Sequence, residues 1–290
     1  MKKKRTKITG LQIFSIVVLT IIVASIVVPF WNALVISFST ESSYIRKAFS
    51  WWPEEFTLES YEYMLRGGDK LLLYYWNTIK ITVIGTILGM TVMIMAAYVF
   101  SRKFPGKKVF FMLMLFTMFF NGGLIPTYLL IKELGLLNKH AAIILLGLIS
   151  VYYIVIMKNG FESVPMELQE AAMIDGANDL TIFTRIMLPL QKPLIATFSL
   201  FLAVDYWNSW YWPQLILTKG NNKVLQNYLR AIVLSGSESE KASSFFAGIA
   251  VFNEGTKMAS VFLVILPVMV IYPFLQKYFV KGMLVGAVKT

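Results

Sequence analysis

The sequence predicts an all-α membrane protein with six transmembrane helices and both termini in the cytoplasm. Of the 290 residues, 57% are hydrophobic and only 15% are charged, whereas soluble domains are about half apolar and about a quarter charged. A transmembrane helix needs about 20 apolar residues, and six stretches of about that length are nearly free of charge. The lack of cysteine excludes disulfides and Cys-ligated metal sites. Because little polar chain remains, a separate soluble enzyme domain is disfavoured.

The apolar stretches define the predicted spans in chain order. They are Leu11 to Val35, Thr78 to Phe100, Val109 to Leu130, Ala141 to Met157, Leu194 to Leu217 and Met258 to Phe279. Asn121-Gly122-Gly123 and Pro126 interrupt the third span, because such residues break helices. The first run continues past the length of a signal peptide and no small-residue cleavage site follows, so we expect an uncleaved span.

Basic residues set the predicted orientation. They cluster before the first span, between the second and third, and after the sixth: Lys2, Lys3, Lys4, Arg5, Lys7, Arg102, Lys103, Lys107, Lys108, Lys281 and Lys289. By the positive-inside rule these regions face the cytoplasm, which requires an even number of spans. The net charge of +11 is therefore typical of a multi-pass protein of the cell membrane that contacts lipid, and we expect no nucleic-acid partner.

A cytoplasmic segment of residues 158–193 separates the fourth and fifth spans and is too long for a tight connection. Pro165 suits the first turn of a helix and Gly176 a left-handed stop, which predicts a short first helix. Asn178 or Asp179 can cap a second helix, which we expect to end by Pro189.

The first short helix carries residues suited to contact with another protein. Ala171 and Ala172 allow a close approach, and Glu170 and Asp175 offer carboxylates to a basic partner. A helix lying on the membrane surface is the alternative, but such helices carry Lys and Arg on their polar face. The acidic side chains therefore favour a protein docking surface.

The same segment carries a recognisable pattern. Glu170-Ala171-Ala172, Gly176, Ile186 and Leu188-Pro189 follow one another at intervals of three, nine and one intervening residues. The pattern resembles the cytoplasmic signature of binding-protein-dependent ABC importer permeases. The sequence is most similar to carbohydrate permeases of the maltose type, to the shorter partner of the pair, and to the oligosaccharide and polysaccharide branch. The resemblance implies one transmembrane domain over residues 1–290, with the permease core over residues 73–281.

In that family the segment forms a coupling helix that seats in a cleft of a cytoplasmic ATPase subunit. The resemblance implies that Glu170 pairs with a basic group of the ATPase, that Ala171 and Ala172 pack in the cleft, and that Gly176 permits the turn. It also implies a second homologous permease, two ATPase subunits and an extracytoplasmic solute-binding protein. In the family the long outer loop, here Lys219 to Lys257, reaches into the binding protein.

The chain lacks a nucleotide site of its own. A P-loop needs Gly, four residues and then Gly-Lys-Ser/Thr, and Gly106-Lys107 is followed by Lys108 with no earlier glycine at the required position. We therefore expect no cofactor in this chain and expect a partner ATPase to bind ATP and Mg²⁺. The chain is accordingly expected to be a non-catalytic subunit.

The fifth span contains the candidate residues of a substrate path. Asp205 is its acidic residue, and Trp207, Asn208 and Tyr211 follow it, while Asn121 lies in the third span. The carboxylate could serve a proton relay, accept sugar hydroxyls or pair with a neighbouring helix, since a charge within the membrane marks function without naming it. The aromatic and amide groups could line a sugar pocket, or form an interfacial belt and interhelical hydrogen bonds.

Two other functions remain to be weighed against an importer subunit. An ion-coupled carrier acting alone would depend on Asp205, yet the sequence lacks the matched broken helices in two inverted halves that many carriers have. An intramembrane enzyme would need a nucleophile with a base within reach, and the chain has a single His and no Cys. Both are disfavoured.

Overall fold

The computed structural model describes residues 9–66, 69–235 and 253–287, and these residues form a helical protein. The helices are α1 (Gly10–Ser37), α2 (Glu41–Arg46), α3 (Glu59–Arg66), α4 (Asp69–Ser101), α5 (Lys107–Phe119), α6 (Leu124–Glu133), α7 (His140–Leu146), α8 (Val151–Glu162), α9 (Met166–Ile174), α10 (Asp179–Ile182), α11 (Leu188–Leu190), α12 (Lys192–Trp207), α13 (Tyr211–Ile216), α14 (Leu225–Ser235) and α15 (Asn253–Ala287). A π-helix, Phe183–Met187, joins α10 to α11, and a 3-10 turn, Gly220–Asn222, precedes α14.

Within the described ranges, the candidate membrane spans are of two kinds. Helix α1 and residues Lys70–Ser101 of α4 are each long and apolar enough to cross a membrane. Three further candidates are pairs of helices that bend at a short break: α5 with α6 by 110°, α7 with α8 by 53°, and Asp179–Leu190 with Lys192–Ile216 by 78°. The predicted sixth span lies within α15. The mostly helical class is confirmed. The count of six spans and the cytoplasmic placement of both termini stay predictions.

The break in the predicted third span has a local cause. Helix α5 ends at Phe119 and α6 begins at Leu124, and between them Gly123 adopts a φ of 90°. Such a conformation is open to glycine and strained for other residues. Pro126 was also expected to interrupt this span, but it lies in the first turn of α6, where a missing N–H costs no hydrogen bond.

The chain divides into two compact units that alternate along the sequence. The first comprises the described parts of Met1–Asp69 and Ala231–Ile265. In it, the indole N–H of Trp31 in α1 donates to the carbonyl oxygen of Trp51 at 2.8 Å, and its ring meets that of Trp52 edge-on. The predicted basic N-terminus, residues 236–252 of the long outer loop and Lys289 lie outside the described residues.

The second unit comprises the described parts of Lys70–Arg230 and Leu266–Thr290 and holds the larger apolar core. Buried side chains from α4, α7, α8, α12 and the π-helix form this core, among them Ile81, Met93, Ile143, Met157, Phe161, Met187 and Leu202. Two glycines of α4, Gly85 and Gly89, leave room for the side chains of Tyr206 and Leu202 of α12. This unit contains the whole of the 158–193 segment and of the predicted fifth span.

Candidate functional site

The first short helix of the 158–193 segment forms where the sequence predicts it. Pro165 precedes α9, Asp175 caps its C-terminus and Gly176 has a φ of +83°. The N–H of Ala177 donates to the carbonyl of Ala172 at 2.9 Å and the N–H of Gly176 to that of Met173 at 3.0 Å. This pair of bonds is a Schellman motif, which satisfies the last carbonyls of the helix.

The second helix begins as expected but does not end as expected. The side-chain oxygen of Asn178 accepts from the backbone N–H of Thr181 at 2.8 Å, so Asn178 rather than Asp179 is the N-cap. The expectation that the helix ends by Pro189 is wrong, because helical conformation continues to Leu190. The π-helix Phe183–Met187 widens the preceding turn, and Pro189 then lies in the first turn of α11, where its missing N–H is tolerated.

Helix α9 presents two different faces. Glu170 and Ala171 are exposed, and Ile174 is 86% exposed. On the opposite face Gln169 is only 5% exposed, and Ala172 packs against the core of its own unit. The outward face therefore offers carboxylates beside apolar side chains, as a protein docking surface does.

The other residues predicted to contact the ATPase differ in their exposure. Asp175, Gly176 and Pro189 are exposed, Ile186 is half-buried, and Leu188 is half-buried and packs against the core.

Two ionic contacts fix the segment to neighbouring helices. Arg102, one residue beyond α4, donates to the side-chain oxygen of Gln169 and to the Asp179 carboxylate, the latter at 2.7 Å. Glu162, at the end of α8, accepts from Lys107 at 3.2 Å and from Lys158 at 2.6 Å. The segment is therefore held against the ends of α4 and α5.

Sequence reasoning missed the role of Arg102 and Gln169. It counted Arg102 only as one positive charge among several, although the three-residue spacing of Gln169 and Ala172 places both on one helical face. That spacing was the available signal for an inward face of α9.

A cavity of about 240 Å³ lies where the α7–α8 turn meets α12 and α13. Its lining combines apolar, hydroxyl, aromatic and carboxylate groups: Ile143, Leu146, Gly147, Ile149, Ser150, Leu202, Asp205, Tyr206, Ser209 and Trp212. The hydroxyl of Tyr153 donates to the Asp205 carboxylate at 2.9 Å. Such a mixture can accept sugar hydroxyls while an aromatic ring covers an apolar face.

Of the predicted path residues, only Asp205 lines this cavity. Trp207 is buried beside the ring of Tyr75, and the side-chain oxygen of Asn208 accepts a long hydrogen bond from Gln226 at 3.4 Å. Tyr211 is exposed, and the side-chain oxygen of Asn121 accepts from the backbone N–H of Gly123 at 2.8 Å. The structure instead brings Tyr153 of α8 to Asp205 of α12, two helices that the sequence could not pair.

The comparison with known proteins agrees with the form of the 158–193 segment. Residues 82–285 match the family described as binding-protein-dependent transport system inner membrane component. The chain belongs to this family. This permease is 40% identical over 266 residues to the polygalacturonan/rhamnogalacturonan transport system permease protein YtcP of Bacillus subtilis, covering 91% of the chain and 92% of the relative. It is 37% identical to protein LplC of Bacillus subtilis over 91% of the chain and 89% of that relative.

A solved structure shares the fold of the permease. It is the crystal structure of a bacterial ABC transporter involved in the import of the acidic polysaccharide alginate, with a TM-score of 0.86 and 30% identity over 96% of this chain and 99% of that chain. The resemblance drawn from the Glu170 to Pro189 pattern is thereby confirmed. The ion-coupled carrier and the intramembrane enzyme are set aside, because the family is one of ABC transporter permeases.

Proposed function

We propose that this permease is one half of the membrane channel of an ATP-driven importer for a carbohydrate, most simply an oligosaccharide. It acts as a single membrane domain that pairs with a second, homologous permease in the cell membrane. Two cytoplasmic ATPase subunits bind ATP and Mg²⁺, and an extracytoplasmic binding protein delivers the sugar. Two relatives support a carbohydrate as the substrate: one is named a polygalacturonan/rhamnogalacturonan transport system permease protein, and the other is a transporter involved in the import of alginate.

The observation that carries the proposal is the outward face of α9. Glu170 supplies a carboxylate, and exposed apolar side chains surround it. The left-handed conformation of Gly176 ends the helix, so that α9 is a short element separate from α10. An acidic and apolar surface of this kind suits a cleft that contains a basic group.

The proposed mechanism is alternating access. Closure of the ATPases on ATP moves the docked helices, and the spans change from inward-open to outward-open. Transport acquires a direction only if the sugar has different affinities for the two states. The cavity beside Asp205 supplies hydroxyl, carboxylate and aromatic groups for that contact.

Co-purification followed by reconstitution tests the proposal. The permease is isolated from native membranes, the companion proteins are identified, and the complex is placed in proteoliposomes. We expect an ATPase, a second permease and a sugar-loaded binding protein, and uptake that requires ATP. Uptake by this chain alone, or uptake driven by a proton gradient without nucleotide, would contradict the proposal.

A further inference from the structure

We propose that Arg102 is the positioning residue through which movement of the 158–193 segment reaches the membrane helices of this chain. The proposal rests on the importer function above and adds a mechanical link to it. It starts from the placement of one side chain between three helices, α4, α9 and α10.

Arg102 is held in a fixed position at the end of α4. Its backbone N–H donates to the carbonyl of Val99 at 3.0 Å, and its guanidinium lies 5.5 Å from the centre of the Tyr98 ring. The side chain is only 22% exposed. A guanidinium that is shielded and stacked in this way keeps its direction, because its rotation is restricted by the ring.

The two acceptors of Arg102 lie on the two helices of the segment. Gln169 belongs to α9 and Asp179 is the first residue of α10, on either side of the turn at Gly176. The Asp179 side chain is 78% exposed, so its ion pair alone is weak. Gln169, in contrast, is buried and depends on Arg102 for its hydrogen bond. One planar fork therefore holds both helices at once.

The docking face and the Arg102 contact belong to the same turn of α9. Glu170 is exposed towards the proposed ATPase, and its neighbour Gln169 is buried against Arg102. Because one helical turn is rigid, a displacement of the outward face also displaces Gln169 and pulls on Arg102.

Helix α4 can carry that displacement to the cavity. It runs without proline over 33 residues, a length of about 50 Å. Near its middle, Gly85 packs against the ring of Tyr206, and Gly89 packs against Leu202. Both of these partners line the cavity. A movement of Arg102 therefore shifts α4, and with it the two glycines against which Tyr206 and Leu202 pack.

The link requires arginine in particular. Its five N–H donors form a planar fork that serves two acceptors at fixed angles, whereas the ammonium of lysine is a single point charge. We expect Arg102→Lys to keep the Asp179 contact and to lose the contact with Gln169. The lysine variant should accordingly transmit movement poorly while it retains the local charge.

The test measures sugar imported per ATP hydrolysed by the complete complex in proteoliposomes. The variants are Arg102→Ala and Arg102→Lys. Arg185→Ala is the matched control, because Arg185 is an exposed arginine in the same segment. We expect Arg102→Ala to retain the bound ATPase and its hydrolysis but to lower the import ratio about tenfold. Arg102→Lys should give an intermediate ratio.

Two results would overturn the proposal: an unchanged ratio in Arg102→Ala, or an equal loss in Arg185→Ala. Loss of the ATPase from the Arg102→Ala complex would also overturn it, because Arg102 would then shape the docking surface and transmit nothing. A wild-type complex that hydrolyses no ATP or imports no sugar would instead refute the proposed function. The two failures are therefore distinguishable.

Discussion

The ring of Tyr206 lies directly against Gly85: a Cβ built on that glycine would stand 2.5 Å from Cζ of the tyrosine. On the other side, a Cβ on Gly147 would stand 2.7 Å from Cε1 of the same ring. The Tyr206 hydroxyl donates to the carbonyl of Ile144 at 2.8 Å. The ring is therefore clamped between α4 and the α7–α8 turn, and small residues at these positions allow the close approach.

Substitution of Gly85 by alanine should destabilise the permease. The added methyl group cannot be accommodated by a small movement of Tyr206, because the ring is held on both sides and at its hydroxyl, so we expect a loss of about 1–3 kcal/mol. The thermal midpoint of the purified complex measures this loss. Gly122→Ala is the control, since its nearest neighbour would be an ordinary 3.9 Å away. The double variant Gly85→Ala with Tyr206→Leu should recover part of the loss, and additive losses would contradict the clamp.

Substitution of Gly176 by alanine should impair coupling without a steric clash. No atom lies within 4 Å of a Cβ at this position, and the cost arises only from the φ of +83°, which an L-residue adopts at about 1–2 kcal/mol. We expect the end of α9 to shift and import per ATP to fall. Gly220→Ala is the control, because it also meets no atom and has no positive φ. Wild-type import by Gly176→Ala would show that the turn is dispensable.

Reversal of charge at Glu170 should weaken the contact with the ATPase. Glu170→Lys places a positive charge opposite the basic group expected there, whereas Glu170→Gln only removes the attraction, so the lysine variant should lose more import than the glutamine variant. The retained membrane insertion of both variants is checked by their yield in the membrane fraction. Glu133→Lys, at the exposed end of α6, controls for a general effect of charge. Equal import by all three variants would count against a docking role for Glu170.

The carboxylate of Asp205 should be replaceable by its amide. Asp205→Asn keeps an oxygen that can accept from Tyr153, and loss of one charge-assisted hydrogen bond should change import by about tenfold or less. Tyr153→Phe removes the donor and leaves the charge, which provides the matched comparison. Import should also continue after an ionophore collapses the proton gradient. Complete loss of uptake in Asp205→Asn together with sensitivity to the ionophore would instead indicate a proton relay.

Local patterns predicted some elements because their causes are local. Pro165 and Gly176 bound α9 because the fixed φ of proline and the positive φ of glycine act within one turn. Gly123 breaks the third predicted span for the same reason. Pro189 was misjudged because a π-helix precedes it and places it in the first turn of α11, and the local pattern does not predict a π-helix.

Contacts between distant residues could not be read from the sequence. Arg102 and Gln169 are 67 positions apart, and Tyr153 and Asp205 are 52 apart. Their meeting depends on how α4, α8, α9 and α12 pack, which no spacing encodes. The same limit explains why Trp207 was expected in the substrate path and lies buried beside Tyr75 instead.

Site-directed cross-linking tests the docking of α9 on an ATPase most directly, because the chain contains no native cysteine. Ile174→Cys places a thiol on the outward face, where the native side chain is 86% exposed, and Ile182→Cys places one in a fully buried position of neighbouring α10. We expect Ile174→Cys to cross-link to the nucleotide-hydrolysing subunit and not to react with an impermeant maleimide added outside intact cells. Ile182→Cys should neither react with the maleimide nor cross-link. Labelling of Ile174→Cys from outside, or the lack of any cross-link to an ATPase in the active complex, would contradict the importer function.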